Sequence, residues 1–358
     1  MQGKDRCYSP LTEGTGVGVW GKGIRRMKSR KGRVRRDIVV VGASAGGVET
    51  LPRFFEDFDS DIGAAFFVVL HVPSNSQSYM PAVLSRASRL PAQHAEDGCP
   101  IEPGKIYIAP PDHHVLIEDG KMRLSHGPKE NRHRPAIDPL FRTAAENWNS
   151  RVIGIVLTGT LDDGTMGLRA VKDAGGLTIV QDPADALYPD MPRNALQIVD
   201  PHYVLPLEEI RSLLPRLIQE PAKEKVMKRF KDKGMKPENR KIKSGQEINK
   251  DLGPPTMFVC PECNGPLWEM RDGKASLYRC MVGHSFGPEN LFAAQTEEVE
   301  RALWTALRAL EERVALQQKL AQRADFQKRS LSSRHFLNRA KENSRHAAVI
   351  RKVLEQLK

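Results

Sequence analysis

Three residues that could together perform nucleophilic acyl chemistry lie at the ends of hydrophobic runs in this chain. They are Ser44, His71 and Asp163. A serine hydroxyl is a weak nucleophile until a histidine accepts its proton, and a carboxylate fixes the tautomer of that histidine and stabilises its charged form. The three residue types are therefore the set that a serine hydrolase needs, provided that the fold brings them together.

The hydrophobic runs themselves predict how these residues are positioned. Residues 38–42, 65–70, 105–109, 152–159 and 177–181 are rich in aliphatic residues and are separated by helix-length segments. Such runs are typical of buried parallel strands in repeated βαβ units. Functional sites in such sheets form beyond the carboxyl ends of the strands. We therefore predict an α/β fold with a doubly wound, mostly parallel sheet and the three residues along one edge.

Each of the three residues also has a purely structural interpretation. Ser44 could cap a tight turn, His71 could be a core histidine, and Asp163 could form an Asx turn or a helix N-cap. The small-residue turn at 42–47 lacks both the dinucleotide-binding glycine pattern and the lysine of a phosphate-binding loop. The coincidence of all three residues at one sheet edge favours a hydrolase, with backbone N–H groups of the glycine-rich turns binding the oxyanion.

Several short motifs extend this interpretation. They are VGASAGG at 41–47, HVP at 71–73, YIAPPDHH at 107–114, NRHRP at 131–135, LTGTLDDG at 157–164 and MPR at 191–193. In this order they resemble the catalytic domain of the chemotaxis protein-glutamate methylesterases over residues 37–215, about half of the chain.

The resemblance implies a Ser–His–Asp hydrolase that needs no cofactor for catalysis. Its expected partners are methylated chemoreceptor-like helical proteins, from which it removes glutamate methyl esters and on which it deamidates certain glutamines. Ser44 matches the nucleophile, His71 the base and Asp163 the orienting acid, whereas Asp162 matches no family residue. Arg132, His133 and Arg134 could be ordinary surface charge, but the resemblance implies that they lie near the substrate mouth, with His133 and Arg134 as the candidate substrate-binding residues.

This sequence departs from the family pattern in two places. Ala45 follows the nucleophile where the family often has threonine, which removes a hydroxyl contact. Residues 1–36 are too short for the phosphoacceptor receiver domain that commonly precedes the catalytic domain. We therefore expect phosphodonors to leave the activity of this chain unchanged.

A second group of residues has the spacing of a metal site. Cys260, Cys263, Cys280 and His284 form the pattern C-x2-C-x16-C-x3-H, which predicts a tetrahedral Cys3His zinc site. A closed four-ligand site leaves no position for water, so the zinc would be structural, and a module of about 35 residues would need it to fold. The alternative is reduced cysteines in a small β-hairpin without metal.

The positive charge of the chain is confined to two segments. The net charge is +11, yet residues 1–36 carry eleven Lys and Arg against two acids, and residues 222–250 carry eleven against four. The rest of the chain is mildly acidic. Such basic runs are usually solvated and disordered, so we expect no nucleic-acid binding. Met27 is an alternative start.

Other features of composition concern location. No segment approaches the roughly 18 apolar residues of a membrane span, so we expect no membrane insertion. Residues 1–36 lack the apolar centre of a signal peptide. Five cysteines are too few for a disulfide scaffold of 358 residues. Together these observations predict a cytoplasmic protein.

The expected organisation has five parts. They are a basic disordered tail at 1–36, a methylesterase-like catalytic domain at 37–216, a charged linker at 217–254, a zinc-ribbon-like Cys3His module at 255–292 and a helical arm at 293–358. We expect the linker to leave few contacts between the module and the catalytic domain. The arm would either form a coiled coil with a partner or a second copy, or pack back on its own chain, through the apolar residues Val299, Leu303, Ala306, Leu310 and Val314.

Two other functions compete with the hydrolase. One is a non-catalytic adaptor that docks to receptors and recruits partners through the Cys3His module and the helical arm. The other is a nucleotide- or DNA-binding regulator, suggested by the cysteines and the basic segments, against which the missing phosphate motifs count. An adaptor has no need of the complete set Ser44, His71 and Asp163, so the set favours the hydrolase.

Overall fold

The computed structural model of the chain describes residues 35–222, 255–272 and 275–357. The basic tail and the charged linker expected from the sequence therefore lie largely outside the described residues. Within the described residues the chain divides into two compact units. One holds the residues up to 260 together with 265–287, and the other holds 261–264 and 288–357.

The first unit is built on a seven-stranded sheet in which every strand pairs in parallel. In chain order, the strands of this unit up to residue 205 are β1 Ile38–Ala43, β2 Ala65–Leu70, β3 Ala92–His94, β4 Ile106–Ile108, β5 His114–Glu118, β6 Lys121–Ser125, β7 Val152–Val156, β8 Leu177–Gln181 and β9 Tyr203–Leu205. Strands β5 and β6 form a separate hairpin, and the other seven form the sheet. The spatial order is β3-β4-β2-β1-β7-β8-β9, so the winding direction reverses between β1 and β7. This arrangement confirms the predicted α/β fold.

Five helices connect these strands, and a sixth follows the last of them. They are α1 Gly47–Phe55, α2 Met80–Ala87, α3 Ile137–Trp148, α4 Thr165–Asp173, α5 Asp190–Ile198 and α6 Leu207–Gln219. Two short 3-10 turns at Ser60–Ile62 and Asn149–Arg151 complete the connections.

The sheet has a hydrophobic core on each face because successive side chains of a strand point to opposite sides. In β1, Val39 and Val41 face one core, which includes residues of α1, α2 and α6. Ile38 and Val40 face the other core, which includes residues of α3, α4 and α5. The continuous apolar composition of the central strands follows from burial on both faces.

The first unit also contains a small antiparallel sheet in the order β10-β11-β12-β13. Its strands are β10 Pro255–Val259, β11 Pro266–Asp272, β12 Ala275–Cys280 and β13 Ser285–Phe286. Leu267, Leu277 and Phe286 are buried in it. This sheet corresponds to most of the Cys3His module expected from the sequence.

The second unit is dominated by two long helices, α7 Pro288–Phe326 and α8 Ser330–Gln356. They run antiparallel, since Arg351 pairs with Glu311 and the Asn343 amide donates to Gln317 Oε1 at 3.0 Å.

The apolar seam of α7 differs in part from the predicted one. Leu303 and Leu310 pack with Leu307 against α8, whereas Val299 is 54% exposed. The arm therefore packs on its own chain, as one of the two alternatives expected. No helix among the described residues is apolar over a length sufficient to cross a bilayer.

Candidate active site

The fold brings Ser44, His71 and Asp163 into one hydrogen-bonded chain. Ser44 directly follows β1, His71 directly follows β2, and Asp163 lies in the loop between β7 and α4. Ser44 Oγ is 2.9 Å from His71 Nδ1, and His71 Nε2 is 2.7 Å from Asp163 Oδ2. The three side chains meet beyond the carboxyl ends of the strands, at the reversal of winding between β1 and β7, where ligands of open α/β sheets bind.

The imidazole of His71 is oriented with Nδ1 toward the serine and Nε2 toward the aspartate. In serine proteases the two ring nitrogens have the opposite assignment. The proton logic is unchanged, because the carboxylate of Asp163 accepts the Nε2–H bond and leaves the lone pair on Nδ1 directed at Ser44 Oγ. His71 can therefore accept the serine proton.

Asp163 is the most heavily hydrogen-bonded carboxylate of the site and is only 1% exposed. Its Oδ2 also accepts the N–H of Ile137 at 2.7 Å, at the N-terminus of α3. Its Oδ1 accepts the Asn131 amide at 2.8 Å and the N–H of Gly164 at 3.0 Å. Burial opposes ionisation, but the hydrogen bond and charge of His71 and these donors hold the pKa of Asp163 at about 2. The carboxylate is therefore charged at neutral pH.

A second buried carboxyl group, that of Asp138, lies next to Asp163. Its Oδ1 accepts the N–H of Gly167 at 2.6 Å, and its Oδ2 accepts the Asn131 amide at 2.9 Å. Burial and the charge of Asp163 raise the pKa of Asp138 well above its usual range. The environments thus separate the two carboxyl groups, so that Asp163 is the ionised one.

His133 lies against the ring of His71. The two imidazoles are stacked with centroids 3.7 Å apart and an interplanar angle of 10°. Burial, followed by the nearby charge of His71, lowers the pKa of His133 to about 3. His133 is therefore neutral at physiological pH and forms an uncharged wall beside the base.

Arg134 is held by groups of the protein. Its Nε and Nη2 donate to Asp112 Oδ1 at 2.9 and 2.7 Å, and its Nη1 donates to the carbonyl of Gly127 at 2.7 Å. These bonds fix the segment that carries His133. The substrate contact expected for Arg134 stays a prediction.

The turn after β1 presents the serine and two backbone N–H groups in fixed orientations. The carbonyl of Ser44 accepts the N–H of Gly47 at 2.9 Å, and the carbonyl of Ala45 accepts Thr158 Oγ1 at 3.0 Å. Because a trans peptide is planar, the N–H groups of Ala45 and Gly46 point away from these anchored carbonyls. Gly46 has φ 74°, a conformation that a side chain disfavours.

Two of the residues that surround Asp163 have roles that the sequence does not indicate. Asp138 carries no local signal of its role, since its neighbour Asp163 is 25 positions away along the chain. Asn131 belongs to a recognised motif, NRHRP, but nothing in that motif indicates that its amide bonds both carboxyl groups. Asp162 is also buried, at 7% exposure.

The predicted metal-binding residues also come together. The ligand atoms of Cys260, Cys263, Cys280 and His284 all lie within 4.8 Å of one another. His284 Nδ1 is 3.7 Å from Cys260 Sγ and 3.5 Å from Cys280 Sγ. A tetrahedral zinc ion with ordinary Zn–S and Zn–N bonds separates its sulfur and nitrogen ligands by about 3.6 Å. The donor set therefore fits a zinc ion.

The fold and the Ser44–His71–Asp163 arrangement define the class of this site. A nucleophile on a strand-to-helix turn, a histidine base and a buried carboxylate at the switch point of a parallel sheet are the parts of a serine hydrolase.

Comparison with known proteins identifies the family. The sequence model of the CheB methylesterase family matches residues 39–214. A Leptospira interrogans protein named for protein-glutamate methylesterase and protein-glutamine glutaminase activities is 37% identical over 184 residues, covering 51% of this chain and 95% of that protein. The chain therefore belongs to the CheB methylesterase family, which confirms the resemblance found in the sequence.

Two further similarities each cover about half of the chain. Protein-glutamate methylesterase/protein-glutamine glutaminase 2 of Anaeromyxobacter dehalogenans is 37% identical over 186 residues, and the chain spans 53% of its length. The crystal structure of the Thermotoga maritima CheB methylesterase catalytic domain has 34% identity and a TM-score of 0.49, covering 51% of this chain and 98% of that one.

Proposed function

We propose that this chain hydrolyses glutamate methyl esters, and deamidates certain glutamines, on chemoreceptor-like helical proteins. The observation that carries the proposal is the continuous hydrogen-bonded chain from Ser44 Oγ through His71 to the ionised Asp163. The names of the relatives supply the substrate class.

Formation of the acyl-enzyme begins with attack of Ser44 Oγ on the ester carbonyl carbon while His71 Nδ1 takes the hydroxyl proton. The carbonyl oxygen becomes an oxyanion, for which the N–H groups of Ala45 and Gly46 are the candidate donors. The tetrahedral intermediate then collapses, the bond to the methoxy oxygen breaks, and His71 gives its proton to that oxygen, which releases methanol.

Hydrolysis of the acyl-enzyme repeats these steps with water. His71 accepts a proton from the water as its oxygen attacks the acyl carbon, and the bond to Ser44 Oγ breaks as His71 returns the proton. The product is a glutamate side chain. A glutamine substrate follows the same course, with ammonia as the leaving group.

We propose that the acyl group of the substrate lies against Ser44, beside His71 and His133. The stacked, neutral ring of His133 limits the orientations of His71 and shields it from water. The His133 ring would lie beside the acyl group of the substrate and would add no charge there. Arg134 would act by holding this segment against Asp112, in addition to any contact with the substrate that the sequence predicts.

We also propose that Cys260, Cys263, Cys280 and His284 hold one structural zinc ion. The support is the donor set and its spacing, since four protein ligands complete a tetrahedral site. When bound, zinc would supply folding energy to the small sheet rather than chemistry to the hydrolase. The alternative remains a module without metal.

Location and partners are further parts of the proposal. A cytoplasmic location suits the reduced thiols of Cys260, Cys263 and Cys280. The helical arm remains a candidate for a coiled-coil partner or self-association through faces that α8 does not cover.

The hydrolase and the non-catalytic adaptor differ in one accessible reaction. A fluorophosphonate reacts covalently with a serine only when a base activates the hydroxyl. We expect stoichiometric labelling, mapped by peptide mass spectrometry to Ser44, and none in His71→Ala. The exposed Ser212 of α6 is the internal control and should remain unlabelled. Absence of labelling at Ser44 in the folded wild type would favour the adaptor.

A further inference from the structure

The small antiparallel sheet contacts the segment that supports the triad. The N–H of Asn131 donates to the carbonyl of Ser285 at 2.8 Å, and the N–H of Gly287 donates to Asn131 Oδ1 at 2.9 Å. Ser285, Phe286 and Asn131 are all at most 2% exposed. The prediction of few contacts between the module and the catalytic domain is therefore wrong, because these hydrogen bonds join β13 and Gly287 directly to the catalytic domain.

Asn131 connects this contact to Asp163. Its side-chain nitrogen donates one hydrogen to Asp163 Oδ1 and one to Asp138 Oδ2, at 2.8 and 2.9 Å. Its oxygen accepts the N–H of Gly287. A flipped amide would turn its oxygen toward the ionised Asp163 and its nitrogen toward the N–H of Gly287, losing both of these bonds. The Gly287 N–H therefore selects the orientation that serves Asp163.

The neighbouring residue Glu130 fixes the same segment from the side of α3. Its carboxylate accepts Nη2 and Nη1 of Arg142 at 2.9 and 3.3 Å. Burial raises the pKa of Glu130, but Arg142 and, more weakly, the charge of Arg279 on β12 hold it below its usual value. The segment is thus held between α3 and the small sheet.

Position 287 requires glycine for this contact. A Cβ built on Gly287 would lie 1.8 Å from Asp162 Oδ2 and 2.6 Å from its Cγ. Real atoms do not approach so closely, so any side chain would push the Ser285–Gly287 segment away from Asn131 or displace the Asp162 carboxylate. Gly287→Ala therefore perturbs this contact without replacing any of the four predicted metal ligands.

We infer that Asn131 is a positioning residue for the catalytic aspartate and that the Ser285–Gly287 segment holds it in its working orientation. The Cys3His module then supports catalysis through one amide side chain. This inference rests on the proposed hydrolase function. It assigns to the module a role in the active site that its separation in the sequence, 156 positions from Asn131 to Gly287, does not suggest.

The first test removes the amide. Asn131 has φ 48°, so Asn131→Gly deletes the side chain without backbone strain. Asp163 keeps its other donors, and the loss of one hydrogen bond to a charged group should lower kcat about 10- to 100-fold. KM should be unchanged, because Asn131 bonds Asp163 and not the substrate. Asn131→Asp keeps an oxygen that accepts the Gly287 N–H but replaces the amide donor to Asp163 with a second oxygen. Its kcat should therefore be as low as that of Asn131→Gly.

The second test is a double-mutant cycle for kcat between Asn131→Gly and Gly287→Ala. In the wild-type background Gly287→Ala should lower kcat roughly 3- to 10-fold, and in Asn131→Gly it should cost less than about twofold. Ser276→Ala, which removes a hydrogen bond on β12 to Glu269, is the matched control and should leave kcat unchanged. If Gly287→Ala lowered kcat by the same factor in the wild type and in Asn131→Gly, the inference would be overturned. Gly287 would then act by another route, such as through Asp162.

A proton resonance separates this inference from the proposed function. The His71 Nε2–H proton that bonds Asp163 should give a downfield NMR signal, which Asn131→Gly and Gly287→Ala should shift or broaden and Ser276→Ala should not. If these shifts occur but the wild type releases no methanol, the substrate proposal fails and the positioning role stands. If methanol is released and neither variant changes the signal or kcat, the positioning role fails.

Discussion

Replacement of Asp163 by asparagine tests the carboxylate with little change in shape. The new amide nitrogen can occupy either oxygen position. At the Oδ1 position it would face the Asn131 amide and the N–H groups of Gly164 and Asp138, leaving three donors without an acceptor. At the Oδ2 position it would face the N–H of Ile137 and the Nε2 of His71. Only the Ile137 N–H would then be left without an acceptor, since His71 can change its tautomer. Each buried unpaired donor costs about 1–3 kcal/mol, so the second orientation should prevail.

That orientation reverses the tautomer of His71. The amide nitrogen donates toward His71 Nε2, which must then hold a lone pair, and the ring proton moves to Nδ1. Nδ1 faces Ser44 Oγ and can no longer accept its proton. An analogous substitution in a serine protease lowers kcat by roughly 10^4. We therefore expect a loss of about 10^3 to 10^4 in kcat, equivalent to about 4–5.5 kcal/mol of transition-state stabilisation.

The assay is the initial rate of methanol release, with urea unfolding as the check on folding. The fold should survive, because the loss of about 1–3 kcal/mol at Ile137 is less than the stability of most domains. The matched control is Asp162→Asn, which changes the adjacent buried carboxylate and should cost less than about tenfold. If Asp163→Asn kept more than a tenth of the activity, or if Asp162→Asn lost as much, the assignment of the orienting acid would be refuted.

Three further predictions concern the nucleophile and base, the second buried carboxyl group and the metal. Ser44→Ala and His71→Ala should each abolish esterase activity with unchanged circular dichroism, and residual activity near the wild-type rate in either would contradict the mechanism. Because the pKa of Asp138 is raised in the folded state, its contribution to stability is fully present below its unfolded pKa of about 3.9 and is lost as the pH rises through the folded value. Asp138→Asn should therefore flatten the decline of unfolding free energy with pH above about 4, measured by urea unfolding, and an unchanged slope would show that Asp138 is ionised in the fold. Elemental analysis should find one zinc per chain in the wild type and none in Cys263→Ser, and full zinc content in that variant would refute the ligand set.

The sheet and the positions of the triad residues were predictable from sequence for a physical reason. Strands buried on both faces must be apolar throughout, so β1, β2 and β7 appear as continuous hydrophobic runs. The carboxyl ends of parallel strands share one edge, which places Ser44 and His71 near each other.

The partners of Asp163 were not predictable in the same way. Asn131, Asp138 and Gly287 carry no periodicity, and their contacts join residues far apart in the chain. The composition of the linker predicted weak coupling between the Cys3His module and the catalytic domain, and this prediction is wrong. Linker composition describes the covalent connection between two segments, whereas the coupling here comes from hydrogen bonds that bypass the linker.

The helical arm shows the same limit. A spacing of three and four residues correctly predicted a helix, but several registers of the seam fit the apolar residues of α7. Leu307 lies in the seam at 3% exposure, whereas Val299 is largely exposed. Only the position of α8 selects the register.

The central claim is that Ser44 cleaves methyl esters on receptor glutamates. The most direct measurement is methanol release from methylated receptor membranes by the wild type, Ser44→Ala and the exposed-serine control Ser212→Ala, at equal concentrations of folded protein. The account predicts release by the wild type and Ser212→Ala at the same rate, and none above background by Ser44→Ala. Equal release by Ser44→Ala and the wild type would contradict it.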